Sequence, residues 1–495
     1  VTDGPVSNPT AESSPAGPSA TPPAEPDPLP LAAPGAGFVF DDADPPVFSN
    51  ASVHDPSVFR ADDWFYVIGS HLASAKTRDF ISWTQVSAGP QKGNALVDDP
   101  AAEFAAALEY AKTDTFWAGD IHAMPNGQYF MYYCVCVGNA PLGAIGLAAA
   151  DAPEGPYSDR GMFIQSGSFP PEGGRYDATV HPNAIDPHAF FDNDGLFWMV
   201  YGSYSGGIFI LQMDSETGLP YPGQENFGYG KKLLGGNHSR IEGAYILYSP
   251  ESEYYYMFLS FGGLGSGDGY NIRVCRSKNP DGPYEDALGQ DMLSCRGAVN
   301  SFFDDNSIEP YGVKLMGGYQ FRHEEGEPGR TTGYLSPGHN SAYYDADSGR
   351  YYLIFHTRFT NRGEAHEIRV HEMFINGDGW PVVSPFRFDG GAARAFTPEQ
   401  LTGHWKLIHH ERDINTRAKI SQTAAFLPDG TVSGELEGTW ALGGDGRTAS
   451  VTVGGVPYSG VFLRCWDQDN QMWVQAFTAL SADGTALWGA GVALE

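Results

Sequence analysis

Through most of the chain, short apolar runs alternate with Gly, Asn and Asp, and each break is followed by a second run crowded with aromatic residues. Five segments share one plan: an acidic or polar residue, a short apolar run, a turn, then the aromatic-rich run. They read DPSVFRADDWFYVIGS from Asp55, DIHAMPNGQYFMYYCV from Asp120, DPHAFFDNDGLFWMVYGS from Asp186, EGAYILYSPESEYYYMFLSF from Glu242 and HNSAYYDADSGRYYLIFHTRF from His339. Apolar and aromatic runs this short, bounded by turn residues, predict strands. Asn126-Gly127, Asp192-Asn193-Asp194-Gly195 and Asp345-Ala346-Asp347-Ser348-Gly349 predict the hairpin turns between them, because Gly and Asn tolerate positive φ. The Asp clusters lack the remaining ligand spacing of a calcium loop. Successive starts lie 65, 66, 56 and 97 residues apart, which is the size of a propeller blade with its connection. The long last interval implies an insertion between blades four and five, at residues 280 to 335.

The two ends read differently. Ten prolines fall within the first 36 residues, and the first basic residue is Arg60. Such a stretch buries too little apolar surface to offset its ordering entropy, so residues 1–40 read as a disordered Pro-rich tether. Because numbering starts at Val1 without a methionine, removal of a targeting segment is also an expectation. Beyond residue 397, short alternating strands are separated by Asp429-Gly430, Asp445-Gly446 and Asp483-Gly484, predicting a small β-barrel or sandwich. The fold expectation is therefore all-β: a five-bladed β-propeller over residues 41–392, then a small C-terminal β-barrel-like domain over 397–495. Trp405, Trp440, Trp466, Trp473 and Trp488 either fill that barrel or form a sugar platform.

Composition narrows the partners. The 495 residues carry 29 Lys and Arg against 60 Asp and Glu, a formal charge of −31. A field of that sign repels nucleic acid and anionic bilayers. The longest apolar stretch of note, Ala144 to Ala150, is far too short to cross a membrane. Cys134 and Cys136 alternate along a strand and read as small core residues, whereas Cys275 and Cys295 have the option of pairing.

Asp55, Asp186 and Glu242 each stand where a polar turn becomes an apolar strand, a half-buried position that shifts carboxyl pKa values. An Asp-Pro dipeptide alone also suits a strand start. Three carboxylates at equivalent repeat positions point instead to a shared site, since the first strands of propeller blades converge on the axis.

Several motifs resemble glycoside hydrolase family 43, most closely its two-domain bacterial members that act on arabinan: SVHDPSVF, AIDPHAFF, VYGSYSGGIFILQMD, GNHSRIEGAYILYSP, YNIRVCRSKNPDGPY, SPGHNSAYYD and FHTRF. They span roughly residues 50 to 385, and the segment from LTGHWK resembles the small β-domain that follows the propeller in those enzymes. One departure is Gly119, where the family usually has Pro. The resemblance implies an inverting hydrolase of internal α-1,5-L-arabinofuranosidic bonds, acting on the neutral arabinan side chains of pectin. Asp55 would be the general base, Glu242 the general acid and Asp186 the carboxylate that orients Glu242. Inversion requires the two catalytic carboxyls to be roughly 6.5 to 9.5 Å apart. His339 matches an axial histidine that holds Ca²⁺ largely through water; the plainer reading is a hydrogen-bonded histidine. His54, Phe116, Trp117, Asn183, Tyr204, Ser205 and Arg358 would line sugar subsites, with blade packing as the alternative for the two aromatics. The rival activities are an exo-acting α-L-arabinofuranosidase or β-xylosidase of the same family and, from another class, a non-catalytic carbohydrate-binding propeller. Retaining fructan-degrading propellers are set aside because their Asn-Asp-Pro-Asn motif is missing. A monomer, secreted or tethered at the cell surface, is expected.

Overall fold

Each aromatic-rich repeat folds as the first two strands of an antiparallel sheet. The computed structural model describes residues 44–492 apart from residues 169, 171 and 172; the segment read as a tether lies outside them. Blade one comprises Ser57–Ala61, Trp64–Ile68, Ser74–Thr77 and Thr84–Ser87; blade two, Asp120–Ala123, Tyr129–Cys136, Gly143–Ala150 and Ser158–Gln165. Blade three comprises His188–Phe191, Phe197–Tyr201 and Ile208–Asp214, its outer position shared by Leu219–Pro220 and Lys231–Leu234. Blade four comprises Ile241–Ser249, Tyr254–Phe261, Asn271–Ser277 and Val313–Met316; blade five, Tyr334–Asp345, Arg350–Phe359, His366–Ile375 and Pro381–Val383.

The first strand of every blade touches that of the next, and blade five closes on blade one. The five strand starts therefore surround one axis, as the repeat predicted. Aromatic side chains of neighbouring sheets fill the spaces between blades; Phe197, Tyr201 and Tyr132 pack there with Cys134 and Cys136. All five cysteines are buried and free, so Cys275 and Cys295 do not pair.

The long interval is resolved differently from the expectation. Residues 278–312 lie inside blade four, between its third strand and its outer strand. That outer strand, Val313–Met316, is only four residues long, too brief to register as a repeat. The connection to blade five contributes Tyr319–Gln320, which pairs with Tyr334 on one side and with Lys419–Ile420 on the other.

Asp120 opens its strand like the site carboxylates but is spent on architecture. Its Oδ1 accepts from Ser57 Oγ at 2.6 Å and its Oδ2 from the Ala189 N–H at 2.8 Å, tying blades one, two and three together.

Eight strands between Gly403 and Gly491 close a barrel. Trp405 and Trp440 lie in its core, Trp488 packs against blade-five residues, and Trp466 and Trp473 are buried edge to face. None is available as a sugar platform. Barrel and propeller share an apolar cluster and a buried ion pair, Lys406 Nζ to Glu327 Oε1 at 2.6 Å.

Candidate active site

The strand starts carry their side chains inward because the ladder breaks there. Asp55 and Asp186 adopt left-handed backbone at φ 59° and 58°. Pairing slips between Glu242 and Tyr245, around Gly243 at φ 62°, and again between Gly338 and Ser341, around His339 at φ 42°. Bulges of this kind re-aim side chains at functional sites. Asp55, Asp186, His339 and Asn340 consequently line one axial cavity of about 20 Å³, room for at least one water-sized occupant.

Asp55 is held as an anion. Its Oδ2 accepts from Ser70 Oγ at 2.5 Å and lies 2.7 Å from His54 Nδ1, and its Oδ1 lies 3.2 Å from His339 Nδ1. Burial alone would raise its pKa, but the charge of His339 and the hydrogen bonds from His339 and His54 outweigh it and hold the carboxyl well below the usual range. The Asp55 N–H donates to His356 Nδ1 at 3.1 Å, which fixes its unusual backbone. Arg358 NH2 lies 3.4 Å from His54 Nε2 and its Nε donates to Glu364 at 2.6 Å; accepting from Arg358 at Nε2 leaves His54 to donate from Nδ1 to Asp55. His54, Asp55 and His356 bring metal-ligand atoms within 4.8 Å of one another, but these hydrogen bonds already engage their nitrogens.

Glu242 receives two donors: Ser203 Oγ to Oε2 at 2.6 Å and Tyr270 OH to Oε1 at 2.8 Å. Asp186 Oδ2 is buried with no partner among the described residues. Burial, reinforced by the neighbouring Glu242 and Asp55 carboxyls and opposed by His339, pushes the Asp186 carboxyl well above its ordinary range, and the Gly243 N–H bonds to it. The His339 imidazole sits among all three acids. Burial disfavours its charge, yet Asp55, Asp186 and Glu242 prevail and carry it to about 10, so at neutral pH it is a cation.

The remaining predicted residues divide. Trp117 is half-buried beside His71, its Nε1 donating to the Cys136 carbonyl. Tyr204 and Ser205, both with positive φ, stand beside Glu242 and the Asn237–Glu242 segment, where the His238 N–H donates to the Ser205 carbonyl. The Asn183 side chain accepts from Ser166 Oγ at 3.1 Å and braces the loop leading to Asp186. Phe116 is a correction: it is fully buried, edge to face with Phe104 in the core cluster that also holds Tyr133, so its ring has no face left for a sugar.

Four residues escaped the sequence reading: Ser70, Ser203, Tyr270 and His356. Two had a signal. The second strands of blades one and three are both followed directly by Gly-Ser, Gly69-Ser70 and Gly202-Ser203, and each serine donates to a site carboxylate. Tyr270 had none, because its contact with Glu242 crosses from the third strand's approach back to the first.

The model of glycosyl hydrolases family 43 matches residues 44–308, and a C-terminal lipocalin-like domain matches residues 385–489. An extracellular endo-α-(1→5)-L-arabinanase of Bacillus subtilis is 53% identical, covering 90% of this chain and 94% of that protein. An extracellular endo-α-(1→5)-L-arabinanase of Thermotoga petrophila is 42% identical over 92% of this chain and 96% of its own length. The crystal structure of a family 43 protein from Bacillus licheniformis superposes with a TM-score of 0.87 at 51% identity, covering 90% of this chain and 99% of that one.

Proposed function

The chain belongs to glycosyl hydrolase family 43, and from that premise we propose that it is an exported endo-α-1,5-L-arabinanase that cleaves arabinan with inversion. The observation that carries the reading is the unequal treatment of two carboxyls in one funnel. Asp55 is kept ionised by His339 and His54, which suits a base that takes a proton from water. The hydrogen bonds to the Glu242 carboxyl come, among the described residues, from two hydroxyls, Ser203 and Tyr270. The Ser203 hydroxyl can rotate from donating to accepting, so Glu242 can carry a proton on Oε2 and give it to the departing glycosidic oxygen. That division of labour is what glycoside hydrolysis needs. Asp186 positions Glu242 through the intervening Gly243 N–H.

Both relatives are named for endo action and as extracellular, which favours endo over exo cleavage and supports export. A binding module would gain nothing from burying three acids, because uncompensated buried charge is costly.

The site also fits a calcium ion. Asp186 Oδ2 and both side-chain polar atoms of Asn340 are buried without partners among the described residues, beside the cavity that His339 lines. Calcium prefers such oxygens; Asp186 and Asn340 would hold it with water, and His339 would join them only on giving up the proton that it otherwise carries at neutral pH. When bound it would supply positive charge that draws Asp186 toward its ionised form.

The test is digestion of linear arabinan with products followed by length and the first anomer read by NMR. Mixed oligosaccharides released early with inverted configuration are expected; arabinose as the sole early product would overturn the endo reading.

A further inference from the structure

The insertion inside blade four brings two phenyl rings to the rim of the funnel. Phe302 is 66% exposed and Phe303 44%, and Val299 beside them is 79% exposed. Exposed aromatic clusters carry a cost in water and mark contact sites. Their loop is built, not loose. Arg240 and Asp305 form a two-point ion pair, Asn237 Nδ2 donates to the Gly297 carbonyl at 2.8 Å, and Asp304 accepts from the Ala298 N–H and Ser307 Oγ. Phe303 takes left-handed backbone at φ 57°, a strain that persists only where the surroundings enforce it.

The rings continue the active site. Phe302 and Phe303 centroids are 4.2 Å apart, Phe303 meets Tyr204 edge to face at 5.4 Å, and Phe302 lies 4.8 Å from His238. The Tyr204 N–H in turn donates to the carbonyl of Ile241, the residue before Glu242, at 2.9 Å, and the His238 N–H donates to the Ser205 carbonyl at 2.9 Å. The ledge therefore sits on the side of the acid rather than of Asp55. A general acid touches the oxygen of the departing half of the substrate, so a chain extending past Glu242 on that side is the leaving portion.

We propose that Phe302 and Phe303 form a stacking ledge for the leaving-side arabinofuranose residues of an arabinan chain, a specificity element that rests on the arabinanase reading. Furanose rings present C–H faces, and rigid aromatic faces bind such apolar surfaces with little ordering entropy. Arg240, whose guanidinium lies 5.9 Å from the Phe303 ring, is paired with Asp305, which fits an uncharged ligand.

The test compares parent, Phe302→Ala and Phe302→Trp on linear arabinan. Phe302→Ala should raise KM about tenfold, with kcat within about twofold, since losing a central aromatic contact commonly costs that factor; Phe302→Trp should restore KM at unchanged melting temperature. An unchanged KM, a matched fall in kcat, or failure of Trp to rescue would overturn the ledge while leaving the arabinanase reading intact. Self-association of the parent that Phe302→Ala abolishes would reassign the surface to an interface and overturn it as well. A parent that does not cleave arabinan would overturn both.

Discussion

The ring of Tyr270 occupies the space that a side chain on Gly338 would need: a Cβ there would lie 2.0 Å from Tyr270 Cδ1. Because the Tyr270 hydroxyl donates to Glu242 at 2.8 Å, a glycine on blade five sets the position of the acid on blade four. Gly338→Ala is expected to lower kcat about a hundredfold, the scale of an ångström-sized misplacement. Tyr270→Phe keeps the ring and loses only the hydrogen bond, and should cost about ten- to a hundredfold. Steady-state rates with melting curves check this; a Gly338→Ala enzyme with parental kcat would break the link.

Asp55 and Glu242 should separate by leaving group. Asp55→Asn removes the base and is expected to lose about 10² to 10⁴ in rate on any arabinofuranoside. Glu242→Gln should lose as much on arabinan but far less on an aryl arabinofuranoside, whose phenolate departs without a proton. Equal losses for Glu242→Gln on both substrates would remove it from the acid role.

Chelation addresses His339, Asp186 and Asn340. With calcium bound, Asp186 is expected to be ionised beside Glu242, so a chelator should lower kcat on arabinan and added Ca²⁺ should restore it. Rates indifferent to chelator would leave His339 as the resident cation of the site, paired with Asp55 at 3.2 Å.

What was legible in the sequence was whatever repeats. The five aromatic runs, the hairpin glycines and the carboxylates at equivalent positions all recur in register, so one blade's pattern explains the next, and the barrel announced itself by its Asp-Gly turns. What was missed is what does not recur. Phe116 stands next to Trp117 in one strand-like run, but only its packing against Phe104 shows that Phe116 points into the core. The outer strand of blade four is hidden because residues 278–312 intervene before it. Tyr270, Ser203 and His356 act through contacts between strands, which a single sequence does not display.

Asp120 offers a last prediction, on stability rather than rate. Burial raises its pKa from 3.8 to about 6, against the opposing hydrogen bonds from Ser57, Ala189 and Ile121. The folded chain thus holds this proton up to about pH 6, whereas the unfolded chain releases it near 3.8. The contribution to stability is complete below about pH 3.8 and is lost as pH rises through about 6, and that interval corresponds to at most about 3 kcal/mol. Asn at this position never ionises. Its amide oxygen can accept from the Ala189 N–H and its NH₂ can donate to Ser57 Oγ, so both ties between blades survive. Unfolding free energies for Asp120→Asn minus the parent should therefore rise by up to about 3 kcal/mol between pH 4 and pH 7. A difference that is flat with pH would mean that Asp120 keeps an ordinary carboxylate pKa in the folded ring; Asp120→Ala, which cuts both ties, should be destabilised throughout.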